Sequence, residues 1–235
     1  MGKYNNNLSG TMKHLKLLIA TGLTVLIAAG CKKTTIDQPQ VFAAIGFFGA
    51  SPDAPPLSIY LNNNKLDDDS LDYKGSIFYV NAYSGNREIV GYKNGVKKVS
   101  QTVKLEDGKI YSCFLTGNYS NAEFALLEDS LKTPLSGKAV IRFVNMSVGA
   151  PSLDLGLNDG TTVVSGRTYK ANSGFIAITG DKQYSFVVRE HGSTVNKVIV
   201  PSVTLLAGHD YTIWTRGIYT ATDGAALAAD VVLNY

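Results

Sequence analysis

From residue 41 onward, apolar residues fall into short runs or alternate with polar ones, without the 3.6-residue rhythm of a long amphipathic helix. Ser58-Ile59-Tyr60-Leu61, Ser76-Ile77-Phe78-Tyr79-Val80 and Tyr184-Ser185-Phe186-Val187-Val188 are β-branched and aromatic runs of strand length, bounded by Asn, Asp, Gly and Pro clusters. Asn94-Gly95 and His191-Gly192 sit between such runs as hairpin turns. Turn signals about every 8 to 12 residues predict a β-sandwich of roughly seven short strands per unit. Upstream the pattern differs. Leu17 to Gly30 carries no charge and follows Lys13, His14 and Lys16, a basic segment and apolar run of export-signal length. A membrane span needs about 18 or more apolar residues, and Thr21, Gly22 and Thr24 weaken this shorter run further.

The run closes as Leu26-Ile27-Ala28-Ala29-Gly30-Cys31, which resembles the lipobox of bacterial lipoproteins, with Ala28 where Leu is commoner. The resemblance implies cleavage before Cys31, acylation of Cys31 and tethering to a membrane. Met12 is an alternative start, because Met12-Lys13-His14-Leu15-Lys16 reads as a signal opening. Cleavage changes the charge balance. The chain has 22 Lys+Arg against 19 Asp+Glu, and removing Lys3, Lys13 and Lys16 leaves 19 against 19. A neutral product has no electrostatic basis for binding nucleic acid. With Cys31 acylated, Cys113 has no disulfide partner, so stability must come from apolar burial.

An internal repeat sets the organisation. The stretch Ala43-Ala44-Ile45-Gly46-Phe47-Phe48-Gly49-Ala50-Ser51 matches Ala139-Val140-Ile141-Arg142-Phe143-Val144-Asn145-Met146-Ser147, and Leu105-Glu106-Asp107-Gly108-Lys109-Ile110-Tyr111 matches Leu205-Leu206-Ala207-Gly208-His209-Asp210-Tyr211. A period near 100 residues is a whole unit rather than a solenoid repeat. The expected layout is a signal at 1–30, lipidated cysteine and polar tether at 31–40, a first sandwich at 41–131, a linker at 132–137 and a second sandwich at 138–235.

The repeated L-x-x-G-x-x-Y spacing points to tyrosine corners at Tyr111 and Tyr211, as in immunoglobulin and fibronectin-III domains. The expected fold is therefore all-β: two tandem immunoglobulin/fibronectin-III-like sandwiches. Cys113, two residues beyond Tyr111, has Ile213 as its counterpart, so it is expected to be a buried, inert thiol. Trp214 aligns with Phe114, which favours a structural role for both.

Ser51-Pro52-Asp53-Ala54-Pro55, followed by Leu57-Ser58-Ile59-Tyr60-Leu61-Asn62 and later by Leu105, Gly108 and Tyr111, resembles the bacterial domain of unknown function family number 4397. The second copy departs from the motif at Ser147-Val148-Gly149-Ala150-Pro151. The resemblance implies repeated Ig-like units in secreted or lipid-anchored proteins and supplies no catalytic residues. With the lipobox variant, the Asn- and Tyr-rich strands and Lys32 after the cysteine, the chain resembles a Bacteroidetes-type outer-membrane lipoprotein, on the periplasmic or cell-surface face.

No nucleophile elbow, zincin helix or phosphate loop occurs, so no catalytic residue, metal ligand or cofactor is assigned. His191 and His209 lack partners at metal-ligand spacing, and Asp67-Asp68-Asp69 with Asp72 reads as a solvated loop. Asp53 reads as a turn-capping residue. Ser70 and Ser130, each in Asp-Ser-Leu, resemble a short O-glycosylation sequon. Tyr60, Tyr79, Tyr83, Tyr92, Tyr119, Trp214 and Tyr219 could stack on sugars if exposed, or serve as half-buried strand residues. The favoured expectation is a non-enzymatic envelope lipoprotein with structural or protein-interaction modules. The alternative is a glycan-binding accessory lipoprotein of an outer-membrane uptake system, marked by a coplanar row of exposed aromatics with nearby Asn or Asp.

Overall fold

Inward-facing apolar positions of the first repeat close into two four-stranded sheets. The computed structural model describes residues 41–234 apart from positions 68 and 132. In the first half the strands are β1 (Phe42–Gly49), β2 (Ser58–Leu61), β3 (Asn64–Lys65), β4 (Ser76–Tyr83), β5 (Gly85–Lys93), β6 (Val96–Leu105), β7 (Ile110–Thr116) and β8 (Glu123–Glu128). They pair in the orders β4-β1-β7-β8 and β3-β2-β5-β6. Ile45, Phe47, Leu57, Ile59, Ile89, Cys113 and Phe124 pack between the two sheets.

The second half repeats the plan with β9 (Lys138–Asn145), β10 (Leu153–Leu157), β11 (Thr162–Arg167), β12 (Ile176–Thr179), β13 (Lys182–Tyr184), β14 (Phe186–Glu190), β15 (Asn196–Ile199), β16 (Val203–Leu205), β17 (Asp210–Arg216) and β18 (Ala228–Leu233). Its sheets run β12-β9-β17-β18 and β11-β10-β14-β15, with β13 and β16 as a separate pair. The run Tyr184–Val188, expected as one strand, is broken at exposed Ser185 into β13 and β14. The halves thus hold eight and ten strands, against the roughly seven expected of each.

The architecture is all-β, yet the centre of each main sheet departs from an immunoglobulin or fibronectin-III sandwich, whose two sheets are antiparallel. Strand β1 pairs with β7 in parallel, Ala44 opposite Ile110 through Gly49 opposite Leu115, and β9 pairs with β17 in the same sense. A central strand buried on both faces carries a continuous apolar run. Apart from Phe42, every residue of β1 is buried.

The second face of β1 is covered by the other half. Phe48, Ala50, Phe114, Val144, Met146 and Trp214 form a third apolar cluster between the sheets β4-β1-β7-β8 and β12-β9-β17-β18. Equivalent residues meet each other there, as expected of an approximate two-fold relation. The Phe114 and Trp214 rings lie 5.3 Å apart. Tyr73 and Tyr169, related by the same repeat, reach across to Arg216 and Thr116. The chain from Val41 onward is one compact unit, so the halves share a core rather than hang on the 132–137 segment.

A buried polar cluster lies within this seam. Arg142 Nη1 lies 2.7 Å from Asp129 Oδ1, with both side chains almost fully buried. This is a charge contact without hydrogen-bond alignment, since that oxygen accepts no hydrogen bond. Arg142 Nη2 donates to Ser112 Oγ at 3.1 Å and to Thr212 Oγ1 at 3.0 Å. Tyr79 donates to Asp129 Oδ2 at 2.6 Å, and Asn234 Nδ2 donates to the Tyr79 oxygen at 2.9 Å. Burial, reinforced by the Asp129 charge, pushes the Tyr79 phenol well above its ordinary pKa. A buried pair is tolerated only where neighbouring groups satisfy its remaining polar atoms, as they do here.

Candidate functional site

The outer face of the β3-β2-β5-β6 sheet carries the open groove. Strand β2 alternates: Ile59 and Leu61 point into the core, while Ser58 and Tyr60 face outward. On β5, Tyr92 stands opposite Ser58, and Val90 opposite Tyr60. Tyr60 and Tyr92 are therefore diagonal neighbours on one face, close enough for large side chains to touch. Their ring centroids are 5.0 Å apart and their planes cross at 72°. Together they form two near-perpendicular walls.

Two turns bound the ends of the groove. The β2–β3 turn holds Asn62 at φ 54°, a left-handed position that Asn tolerates better than most residues. Its side-chain Oδ1 accepts from Glu88 N at 2.8 Å, which fixes the amide. At the β5–β6 hairpin, Asn94 and Gly95 have φ 50° and 75°, as a type I′ turn requires. Gly95 presents no side chain, and a Cβ there would meet nothing within 4 Å, so this end stays open. The resulting cavity of 310 Å³ is lined by Ser58, Tyr60, Asn62, Asn63, Tyr92 and Gly95. That volume is at the small end of ligand pockets, about 300–1,000 Å³. No Lys, Arg, His, Asp or Glu lines it.

The matching face of the second half is built differently. Asp154 replaces Ser58, Gly156 replaces Tyr60 and Arg189 replaces Tyr92, with Asp154 opposite Arg189 in the same register. Arg189 lies across the place where a side chain at 156 would stand, since a Cβ on Gly156 would come 2.6 Å from its Nη1. Its guanidinium donates to Leu157 O at 2.8 Å, Asn196 Oδ1 at 2.8 Å and Gly160 O at 3.3 Å. Asp154 accepts from Gly166 N at 2.6 Å and pairs with His191 Nδ1 at 3.0 Å. Burial opposes its charge, but these donors prevail and hold the carboxyl below its ordinary range. The cavity of 260 Å³ left on this face has Asp154, Arg189, Thr162, Ser193 and Thr194 in its lining, so it presents charged side chains where the first half presents two tyrosines.

The other residues singled out in the sequence fall as follows. Cys31 lies outside the described residues. The Tyr111 and Tyr211 hydroxyls each accept from a backbone N–H five residues upstream, Glu106 and Leu206, both at 3.0 Å. Cys113 is fully buried in the first core, and burial drives its thiol pKa up. Ser70 and Ser130 are exposed, and Asp129 beside Ser130 belongs to the seam. Asp53 accepts from Tyr119 N at 2.9 Å, and Ser51 Oγ donates to Gly117 O at 2.7 Å, so the Ser-Pro-Asp element clamps the loop after β7. Ser147 repeats the clamp on Gly217 O at 3.1 Å. Asp69 N donates to Asp67 Oδ1 at 3.2 Å as a local turn contact. Trp214 is buried in the seam and Tyr79 is bonded within it, which removes both from the surface aromatics.

Sequence reasoning missed the Arg142 cluster. Its signal was a lone cation inside the apolar run Val140-Ile141-Arg142-Phe143-Val144, at the position where the first copy has Gly46.

Residues 43–156 match the family model described as Domain of unknown function (DUF4397). The matched segment holds the whole first half, including the groove, and runs on through β9 into β10. DUF4397 is the family that the Ser51–Pro55 element resembles. Among curated proteins the sequence finds no match. Similar solved structures include the CBMbc module (family CBM26) of Eubacterium rectale Amy13K in complex with maltoheptaose, at 10% identity and TM-score 0.26, over 82% of this chain and 95% of that one. The Bacillus anthracis TIE protein is 9% identical at TM-score 0.26, over 83% of this chain and 43% of that one. A streptococcal virulence factor described by its alpha-glucan binding is 13% identical at TM-score 0.23, over 77% of this chain and all of that one. Likenesses this distant carry nothing about what the groove binds.

Proposed function

We propose that the chain is a non-enzymatic binding lipoprotein of the bacterial envelope, tethered through Cys31, with two Ig-like modules fused back to back. In this reading the first module presents the ligand face and the second is its rigid support. The observation that carries it is the asymmetry of the two equivalent outer faces: Ser58, Tyr60 and Tyr92 line a niche without charged side chains, where Asp154 and Arg189 line a charged cavity of 260 Å³ and Arg189 occupies the place of the second ring. The buried seam supports the rigid coupling, because a face held by Arg142, Asp129 and six apolar side chains cannot slide without unpairing buried charge. A glycan of the envelope or of an uptake system is the ligand class that this niche favours over a protein surface, since it is small, concave and free of charge.

Photo-crosslinking tests the assignment of the ligand face. Asn63→Cys and the equivalent Asp159→Cys variants, labelled with benzophenone maleimide, would be irradiated against solubilised envelope from the cells that express the protein. Cys113 stays unlabelled because it is fully buried. Adducts are expected from the Asn63→Cys variant alone. Equal adducts from both variants, or adducts from Asp159→Cys only, would overturn the reading.

A further inference from the structure

We infer that the Tyr60–Tyr92 niche takes a single neutral sugar ring, the terminal or branch residue of a soluble oligosaccharide, and not a flat polysaccharide chain. This rests on the reading that the first-half groove is the ligand face. Three features argue it.

The first is shape. A flat chain of sugars needs aromatic faces in one plane, whereas these two rings cross at 72° with centroids 5.0 Å apart. Two perpendicular walls accept one ring with its C–H face against one tyrosine and its rim against the edge of the other, the favourable geometry for an aromatic face and edge. The space of 310 Å³ suits a ligand portion of that size.

The second is polarity. Ser58 Oγ and the Tyr60 and Tyr92 hydroxyls have no protein partner among the described residues, and the Asn62 amide is anchored only through its oxygen. A sugar presents alternating hydroxyl donors and acceptors around its rim and so matches amide and hydroxyl groups, which act as both. An apolar peptide side chain would bury these groups without compensation, at a cost that selects against it. The third is charge. With no cation or carboxylate in the lining, the site offers nothing to a uronic acid, a phosphate or an amino sugar.

The test is titration calorimetry on the chain from residue 31 onward, with short neutral oligosaccharides of glucose, galactose, mannose and xylose. Oligogalacturonides and Tyr- or Leu-containing tripeptides serve as counter-ligands, and insoluble cellulose as the flat surface. At least one neutral oligosaccharide is expected to bind one-to-one and cellulose to retain nothing. Tyr92→Ala should weaken the sugar at least tenfold, with Tyr92→Phe intermediate. If a tripeptide or an oligogalacturonide binds with the same Tyr92 dependence while neutral sugars do not, the sugar inference fails and the groove assignment stands. If a sugar binds but Tyr60→Ala and Tyr92→Ala leave it unchanged, the groove assignment fails as well. No binding by any neutral sugar overturns the inference outright.

Discussion

The two outer sheets share a register and a core yet differ at the three positions that decide whether a face can receive a ligand. Ile59 and Leu61 of β2 correspond to Leu155 and Leu157 of β10, so their inward positions stay apolar. The outward ones diverge from Ser58, Tyr60 and Tyr92 to Asp154, Gly156 and Arg189. A sandwich core constrains one face of each strand and leaves the other free to change chemistry. One copy therefore keeps unpaired hydroxyls around a neutral niche, and the other lays its own guanidinium where a ring would stand and lines its cavity with charged side chains.

The largest expected effect tests whether the halves are one body at all. Arg142→Ala leaves Asp129 buried without its counter-charge, a change that costs about 3–5 kcal/mol when one partner of a buried pair is removed. Urea unfolding should show that loss, and a loss below about 1 kcal/mol, the range of exposed pairs, would mean that the seam is not a buried lock. Replacing both partners, as Arg142→Met with Asp129→Leu, should recover part of the stability, because a packed apolar pair avoids the unpaired charge.

Next comes conversion of the charged face to the neutral one. Gly156→Tyr puts a Cβ 2.6 Å from Arg189 Nη1 and 2.8 Å from the Thr161 carbonyl oxygen. The arginine can swing away but the carbonyl cannot, so a loss of about 1–3 kcal/mol is expected from overpacking. Adding Arg189→Tyr should relieve only the first clash. Full recovery of the thermal midpoint in that double variant would show that the arginine alone keeps a ring out of position 156.

Much of this was legible in the residues, and the limits have physical causes. Strands such as Ser58–Leu61, the Asn94-Gly95 turn and both tyrosine corners carry local signals: alternation, positive φ, and a hydroxyl reaching five residues back. The parallel pairing of β1 with β7 has no such signal, because pairing sense is set by strands some sixty residues apart rather than by either strand's composition. The seam was hidden for a similar reason. Phe48 stands only as part of the repeated apolar run and Trp214 only as the counterpart of Phe114, and it is the doubly buried central strand that brings them together, their rings 6.1 Å apart. The niche was half legible. Tyr60 and Tyr92 were among the named aromatics, but only the register makes them neighbours, and their crossing angle replaces the expected coplanar row with a corner.

Removing the arginine from the charged face is a smaller perturbation. Arg189→Ala removes donors to Leu157 O, Gly160 O and Asn196 Oδ1, and a charged hydrogen bond is worth about 1.5–3 kcal/mol before water replaces it. These carbonyls lie near the surface, so water can take over, and a net loss of about 1 kcal/mol is expected. The variant should still bind no neutral sugar, because Gly156 supplies no ring. Sugar binding gained there would show that aromatic walls are unnecessary and would dissolve the contrast between the faces.

The smallest effect separates Ser58 from Asp154 through pH. Asp154 faces Arg189 across the sheet and His191 at its side, and its carboxyl is held below the ordinary range despite burial. A carboxyl with a folded pKa below its unfolded one adds stability that is complete above the unfolded value, about 4, and is lost as pH falls through the lower folded value. Wild type should therefore lose more stability between pH 5 and pH 3 than Asp154→Asn, while the two curves run parallel above pH 5. The asparagine can still accept from Gly166 N, so the fold should survive and the difference should report the charge alone. Ser58→Ala, the matching change on the open face, should show no such acid-limb difference, since no carboxylate stands there. Equal acid limbs for wild type and Asp154→Asn would mean that the Asp154 charge contributes nothing to holding this face together.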